Sequence, residues 1–290
     1  MMVDNIKKFI VKHDNLFISL LSIIIISGLA FRILILPSDE LWNFNNIYKM
    51  YNGFTIYQDS NVIITPLFYV IGNLLFNILG ANILVFRIYN LIIFSAFFLS
   101  IYILFKKLGM TKGKSAAYLC AIITLCKSMI VAGANYNILA VTFVIISIII
   151  EVLRIQTLNS KANKIYKYDI YQGIIFFLIF MSKQNIIVFY LMGLLVSRFL
   201  LNSNKKEVIK SIFISGTTSA LLLIVPVTAF IVQGNFIDFI NYVFLGITEF
   251  GTTNIGHEII PLLEGIIING AVVIITVIAI SKASEMNINK

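Results

Sequence analysis

The chain has 290 residues, of which 59% are hydrophobic and only 12% charged. Soluble domains average about 45–50% apolar and about 25% charged, so this composition excludes a water-soluble globular fold; it also excludes disorder, which needs low hydrophobicity and high charge. The net charge of +9, from 22 Lys and Arg against 13 Asp and Glu, invites a nucleic-acid partner, but its placement along the chain assigns it to membrane topology and anionic lipid.

The first apolar run, Leu16 to Leu36, exceeds the h-region of about 7–15 residues in a cleavable signal peptide. It reads as a span and anchor, Asn15–Leu36. Further spans, each needing about 20 mostly apolar residues, are expected over Asn82–Phe105, Ser115–Ala132, Asn137–Leu153, Asp169–Ser182, Ile186–Leu201, Ser211–Val232 and Glu258–Ser281. The stretch Ile63–Leu79 is ambiguous. It opens at Thr65-Pro66, a good helix start, but it is short and interrupted by Gly72, Asn73 and Asn77.

Charge decides that stretch. The cationic groups are Lys7, Lys8 and Lys12; Lys106, Lys107, Lys112 and Lys114; Arg154, Lys161, Lys164 and Lys167; Lys205, Lys206 and Lys210; and Lys282 and Lys290. All fall on one side only if Ile63–Leu79 does not cross. The expectation is therefore an all-α, polytopic integral membrane protein of about eight transmembrane helices. It forms a single membrane domain over residues 1–290, multi-pass in the plasma membrane, with both termini cytoplasmic. Residues 37–81 form an exoplasmic loop carrying interfacial helices, and residues 233–257 a second long exoplasmic loop.

That arrangement sorts the acids outward: Asp39, Glu40, Asp59, Asp238 and Glu249, with Glu258 at a span boundary. Few cations accompany them: Lys49, Lys183 and, near helix ends, Arg32, Arg87 and Lys127. Cys120 and Cys126 lie in an apolar run and read as small buried hydrophobes. His257 reads as a boundary residue and His13 as cytoplasmic. No His, Cys and carboxylate cluster has metal-ligand spacing, and no phosphate-binding glycine loop occurs, so no metal and no cofactor is expected. The C-terminal half carries fewer ionisable groups within spans than a proton-driven carrier needs.

The first exoplasmic loop holds the chemistry. Trp42, Phe44, Tyr48, Tyr51, Phe54 and Tyr57 make Leu41–Tyr48 an amphipathic helix at the depth that Trp and Tyr favour. At its head stands Ser38-Asp39-Glu40. One reading is structural: Ser38 caps the helix and the acids complement its dipole. The other is catalytic: a carboxylate at the membrane edge takes a proton from an acceptor hydroxyl. Lys183 and Arg87 each read as a phosphate-holding cation or a snorkelling anchor. Asn135, Tyr136 and Asn137 either contact donor or acceptor or cap the next span, and Asp59 is a second site acid or a turn residue.

Several motifs together resemble the polytopic C-type (GT-C) glycosyltransferases, specifically glycosyltransferase family 39, the protein O-mannosyltransferase and aminoarabinose-transferase relatives. They are Pro37-Ser38-Asp39-Glu40-Leu41-Trp42, Gly53 through Asp59, Thr65-Pro66-Leu67-Phe68-Tyr69, Leu79-Gly80-Ala81 and Phe86-Arg87-Ile88-Tyr89-Asn90. Gly133 through Asn137 is similar to that family's second exoplasmic loop, and Gly173 through Lys183-Gln184-Asn185 to its glycine-start, lysine-end span. The resemblance covers roughly residues 15–200.

The resemblance implies inverting transfer of a sugar from a polyprenyl-phosphate donor on the exoplasmic face, with no cofactor. It implies a catalytic acid just after the first span, a role that carries onto Asp39 with Glu40 beside it. The expected substrate-binding residues are Arg87, Lys183, Asp59, Asn135 and Tyr136. The expected partners are the lipid-phosphate sugar donor, a glycan, lipid or protein acceptor, and membrane lipids, with no nucleic acid. The alternative expectation is a non-catalytic or truncated relative, or a component that translocates a lipid-linked sugar. A transporter should place ionisable groups at mid-membrane; a transferase should converge acids and cations at the outer rim.

Overall fold

The computed structural model describes residues 38–60, 62–126, 129–130, 132–159, 166–201 and 204–245. The expected spans Asn15–Leu36 and Glu258–Ser281, with Arg32, Lys127, Glu249 and both histidines, lie outside the described residues. Among those residues the chain is all-helical, without strands. In order they form α1 (Ser38–Tyr51), α2 (Leu67–Leu79), α3 (Ile83–Lys107), α4 (Lys112–Leu125), α5 (Tyr136–Asn159), α6 (Tyr166–Ser182), α7 (Gln184–Leu201), α8 (Lys205–Gln233) and a short α9 (Phe236–Ile240) that runs into a π-helical turn, Asn241–Leu245.

Local chemistry sets these boundaries. Asp39 and Glu40 occupy the first turn of α1 and Lys49 its last, each complementing the helix dipole. α2 begins directly after Pro66 and ends at Gly80, whose φ of 94° carries the chain away from helix. The Asn82 side chain caps α3 by accepting from the Val85 N–H at 3.0 Å. Asn204 caps α8 in the same way, and left-handed Gly234 ends it.

Among the described residues, three helices are long and apolar enough to cross a membrane: Ile83–Lys107 with 25 residues, Tyr136–Leu158 with 23 and Lys205–Gln233 with 29. Each extends past the apolar run at its centre. α5 continues beyond Leu153 because Glu151 and Arg154 find partners inside the bundle. α4 differs from the expected span Ser115–Ala132. It stops at Leu125 after 14 residues, about 21 Å of helix against a hydrocarbon thickness of about 30 Å. Near that stop the Thr124 hydroxyl donates to the Cys120 carbonyl at 2.9 Å, a back-bond that bends helices.

α6 packs against α5 and α8, α3 against α5, and α1 against α2. Hydrogen bonds between segments define two ends of this bundle. At one end meet α1, the start of α3, residues 133–137, the turn at Lys183 and residues 234–245. At the other end meet the close of α5, the start of α6, the close of α7 and the start of α8. The lysine-rich segment Lys106–Lys114 follows α3 away from the first end. α2 lies across that first end: Phe68 and Phe76, at its two ends, both join the aromatic cluster of Phe44, Phe86 and Tyr89.

Candidate functional site

The two adjacent acids that open α1 have opposite fates. Asp39 is exposed. Glu40 is 5% exposed and reaches back onto α3, where Asn90 Nδ2 donates to its Oε1 at 3.2 Å and Arg87 Nε lies 4.0 Å away. Gly133 presses on it from the other side. A Cβ there would stand 3.0 Å from Glu40 Cγ, and the residue has a φ of +87°, so only glycine fits comfortably. Burial pushes the Glu40 carboxyl above its ordinary range, and Arg87 and Asn90 pull it partly back. Glu40 thus fastens the surface helix to α3 and to the loop before α5.

Beside this buried latch lies a second, more open group. Asn135 Oδ1 accepts from the N–H groups of Asn137 at 3.0 Å and Ile138 at 3.2 Å, which starts α5 and fixes Tyr136 and Asn137 as its first residues. The hydroxyl of Tyr136 is within electrostatic reach of the Asp39 carboxylate. The Lys183 ammonium lies 5.1 Å from the centre of the Tyr136 ring and donates to Asn137 Oδ1. Lys183 is half-buried, and burial lowers its pKa. Among the described residues it has no carboxylate within ion-pair distance.

The expected site residues therefore divide. Asp39, Tyr136 and Lys183 form one group, with Glu40 and Arg87 as a paired layer next to it. Asn135 adjoins the group through the helix that it caps. Asp59 stands apart: its Oδ2 accepts from the Thr55 N–H at 2.7 Å and closes a local turn.

Asn137, expected with Asn135 and Tyr136 as a substrate contact or cap, holds Lys183. Sequence reading missed two further contributors at this end. Gln184, next in the chain after Lys183, donates to the carbonyls of Ile63 at 3.0 Å and Val243 at 2.8 Å, tying both long loops to the same turn. Tyr57, buried at a left-handed φ of 74°, donates to the Ile64 carbonyl at 2.8 Å and packs against Phe230 and Phe239. An amide directly after a lysine between two apolar runs was the available signal for Gln184.

The opposite end holds a closed ionic network that the sequence reading did not assemble. Arg198 donates to both carboxylate oxygens of Glu151, and Arg154 donates to Asp169 Oδ1 at 2.8 Å. Arg154 also stands 3.6 Å from Glu151. Ser211 accepts from Arg198 at 2.8 Å and donates to Asp169. Gln172 joins Glu151 at 3.3 Å to the Ser147 carbonyl at 2.9 Å, and Tyr190 donates to the Ser147 hydroxyl at 2.7 Å. Two acids and two guanidiniums from α5, α6 and α7 balance, and all four are buried. Along the sequence these charges sit at three separate helix ends; only antiparallel packing gathers them.

What the first end offers chemically is a solvent-reachable carboxylate and a cation that, among the described residues, has no acid in ion-pair range, both near one tyrosine. The first can accept a proton, and the second can hold an anion. No metal-binding group of three or more His, Cys, Asp and Glu occurs among the described residues. No family model matches the chain, and neither a curated protein nor a solved structure matches it.

Proposed function

We propose that the chain is a membrane glycosyltransferase of GT-C type that moves a sugar from a polyprenyl-phosphate donor to an acceptor hydroxyl. The reading rests on one observation above others: exposed Asp39 and Lys183, which has no acid in ion-pair range among the described residues, both stand near Tyr136 at a single end of the bundle. Asp39 takes the proton of the acceptor hydroxyl as its oxygen bonds to the anomeric carbon. The bond from that carbon to the phosphate oxygen breaks, and the phosphate leaves with the bonding electron pair as an anion held by the Lys183 ammonium, with Arg87 as a second cation at this end. Attack opposite the leaving group inverts the anomeric centre. The motif resemblance around Asp39, Arg87 and Lys183 supports the same roles.

In this reading the site end faces the exoplasmic side, α1 and α2 lie in the membrane interface, and the lysine-rich end faces the cytoplasm. Eight spans result only when α4, α6 and α7 cross along with α3, α5 and α8, and the segments before Ser38 and after Leu245 each contribute one.

Replacing Asp39 by Asn keeps shape and capping ability but removes the base; replacing Glu40 by Gln keeps the bond from Asn90. With both variants scored for expression and surface glycan, Asp39→Asn should lose about 10²–10⁴-fold in transfer at normal expression. Full glycan with Asp39→Asn would leave only the capping role. A second reading, translocation of a lipid-linked sugar, has the buried ionic network on its side, because intramembrane charges mark transport paths. Its balance and closure favour a structural role.

A further inference from the structure

Trp42 is the only tryptophan in the chain. It stands three residues after Asp39 on α1, a spacing that puts two side chains on the same helix face. Its ring is 40% exposed although a dense aromatic core lies directly beneath α1. Tyr69 meets it edge-on, with centroids 6.1 Å apart and planes at 78°. Tyr69 is itself fully buried and donates to Asn43 Oδ1 at 3.2 Å. The indole is thus braced on one side and open on the other.

The brace leads back to the site. Tyr69 is within electrostatic reach of Tyr136, Tyr136 is within reach of Asp39, and Lys183 sits over the Tyr136 ring. Trp42 and Asp39 thus share an exposed face of α1, with Tyr69 edge-on against the indole, and Tyr136 with Lys183 over its ring lies at the same end of the bundle.

We propose that Trp42 is a stacking platform for a pyranose ring of the acceptor, so that the acceptor is a saccharide rather than a bare protein or lipid hydroxyl. A pyranose has an apolar C–H face and a polar rim. The face matches an exposed, rigidly held indole, whose ring combines large apolar area with little conformational freedom. The rim brings a ring hydroxyl toward Asp39, one helical turn away, where the proton must leave. An aromatic that only anchors a helix in the bilayer interface needs neither the Tyr69–Asn43 brace nor a place on the face of the acid. This assignment rests on Asp39 being the base.

Because Trp42 is the sole indole, the emission of the full-length protein in nanodiscs reports on this ring alone. Neutral disaccharides (chitobiose, cellobiose, maltose and lactose) serve as probes, and lipids brominated near the headgroup serve in a second arm. At least one disaccharide should shift the emission to the blue and protect it from iodide with saturation, while the bromolipid quenches weakly. The Asp39→Asn variant should keep that response while losing transfer. Trp42→Ala should raise the KM for acceptor by up to roughly tenfold and change kcat less, with Trp42→Phe in between. Strong bromolipid quenching with no response to any disaccharide would place the indole in the bilayer and overturn the assignment, leaving Asp39-dependent transfer intact. An unchanged acceptor KM in Trp42→Ala would overturn it equally. Normal transfer by Asp39→Asn would instead defeat the glycosyltransferase reading itself.

Discussion

Glu40 and Asp39 differ by one position and by nearly everything else. A step of one residue on a helix rotates the side chain by about 100°, enough to turn Asp39 outward and Glu40 onto Asn90 and Arg87. The sequence shows two acids after a span. It does not show helical phase relative to α3, so the pair reads there as one feature. Gly133 is the sharpest test of the latch. Adding a methyl group at a φ of +87° and 3.0 Å from Glu40 Cγ should cost about 1–3 kcal/mol, measurable as a lower melting temperature for Gly133→Ala; unchanged stability would show that the loop does not press on Glu40. Lys183 supplies a pH test. Burial lowers its pKa, so the charged form, which the proposed mechanism needs to hold phosphate, is lost at a lower pH than for a free lysine, near 10.4. Transfer should therefore fall on an alkaline limb below that value. Lys183→Arg keeps the charge and should move the limb upward, whereas an unmoved limb would assign it to another group.

The helices themselves were largely legible, because hydrophobic runs near span length leave little choice of structure. α3 and α8 match the expected spans closely at their site-end boundaries, and α7 begins within two residues of its expected start but is a shorter apolar helix. α4 was not legible beyond Leu125: the sequence turns apolar again after Lys127-Ser128, so a longer span is expected there, whereas the helix ends at Cys126. The ionic network was hidden for a different reason: its members are far apart in the chain and meet only through antiparallel packing of α5 to α8. Removing one partner from a buried ion pair typically costs about 3–5 kcal/mol. Arg198→Leu alone should therefore lower the unfolding midpoint steeply, and adding Glu151→Leu should recover much of it. Transfer should survive in the double variant. If the double variant folds normally yet abolishes function, the network is part of the working path and the translocation reading gains.

At the scale of the whole molecule the chain has two chemically distinct ends. Loop charges along the sequence separate acids from lysines, and the hydrogen bonds in the structure gather the acid-bearing loops at one end and the lysine-rich ones away from it. What the sequence alone does not reveal is which groups at the acid end are mutually close, because that depends on Gln184 and Asn137 linking loops well over 40 positions apart. In a background with Cys120 and Cys126 replaced by Ala, Asn52→Cys and Asn241→Cys should react with an impermeant maleimide applied outside intact cells, and Lys112→Cys should not. Labelling of Lys112→Cys under those conditions would invert or abolish the proposed orientation.

The most direct measurement is donor consumption by the purified full-length protein in nanodiscs. A panel of polyprenyl-phosphate-linked sugars is supplied with the disaccharide acceptors, and release of free polyprenyl phosphate is followed. The wild-type chain should consume at least one donor, Asp39→Asn should be slower by about 10²–10⁴-fold, and Glu40→Gln should retain most of the rate. Consumption of none of the donors, or equal rates for wild type and Asp39→Asn, would contradict the account.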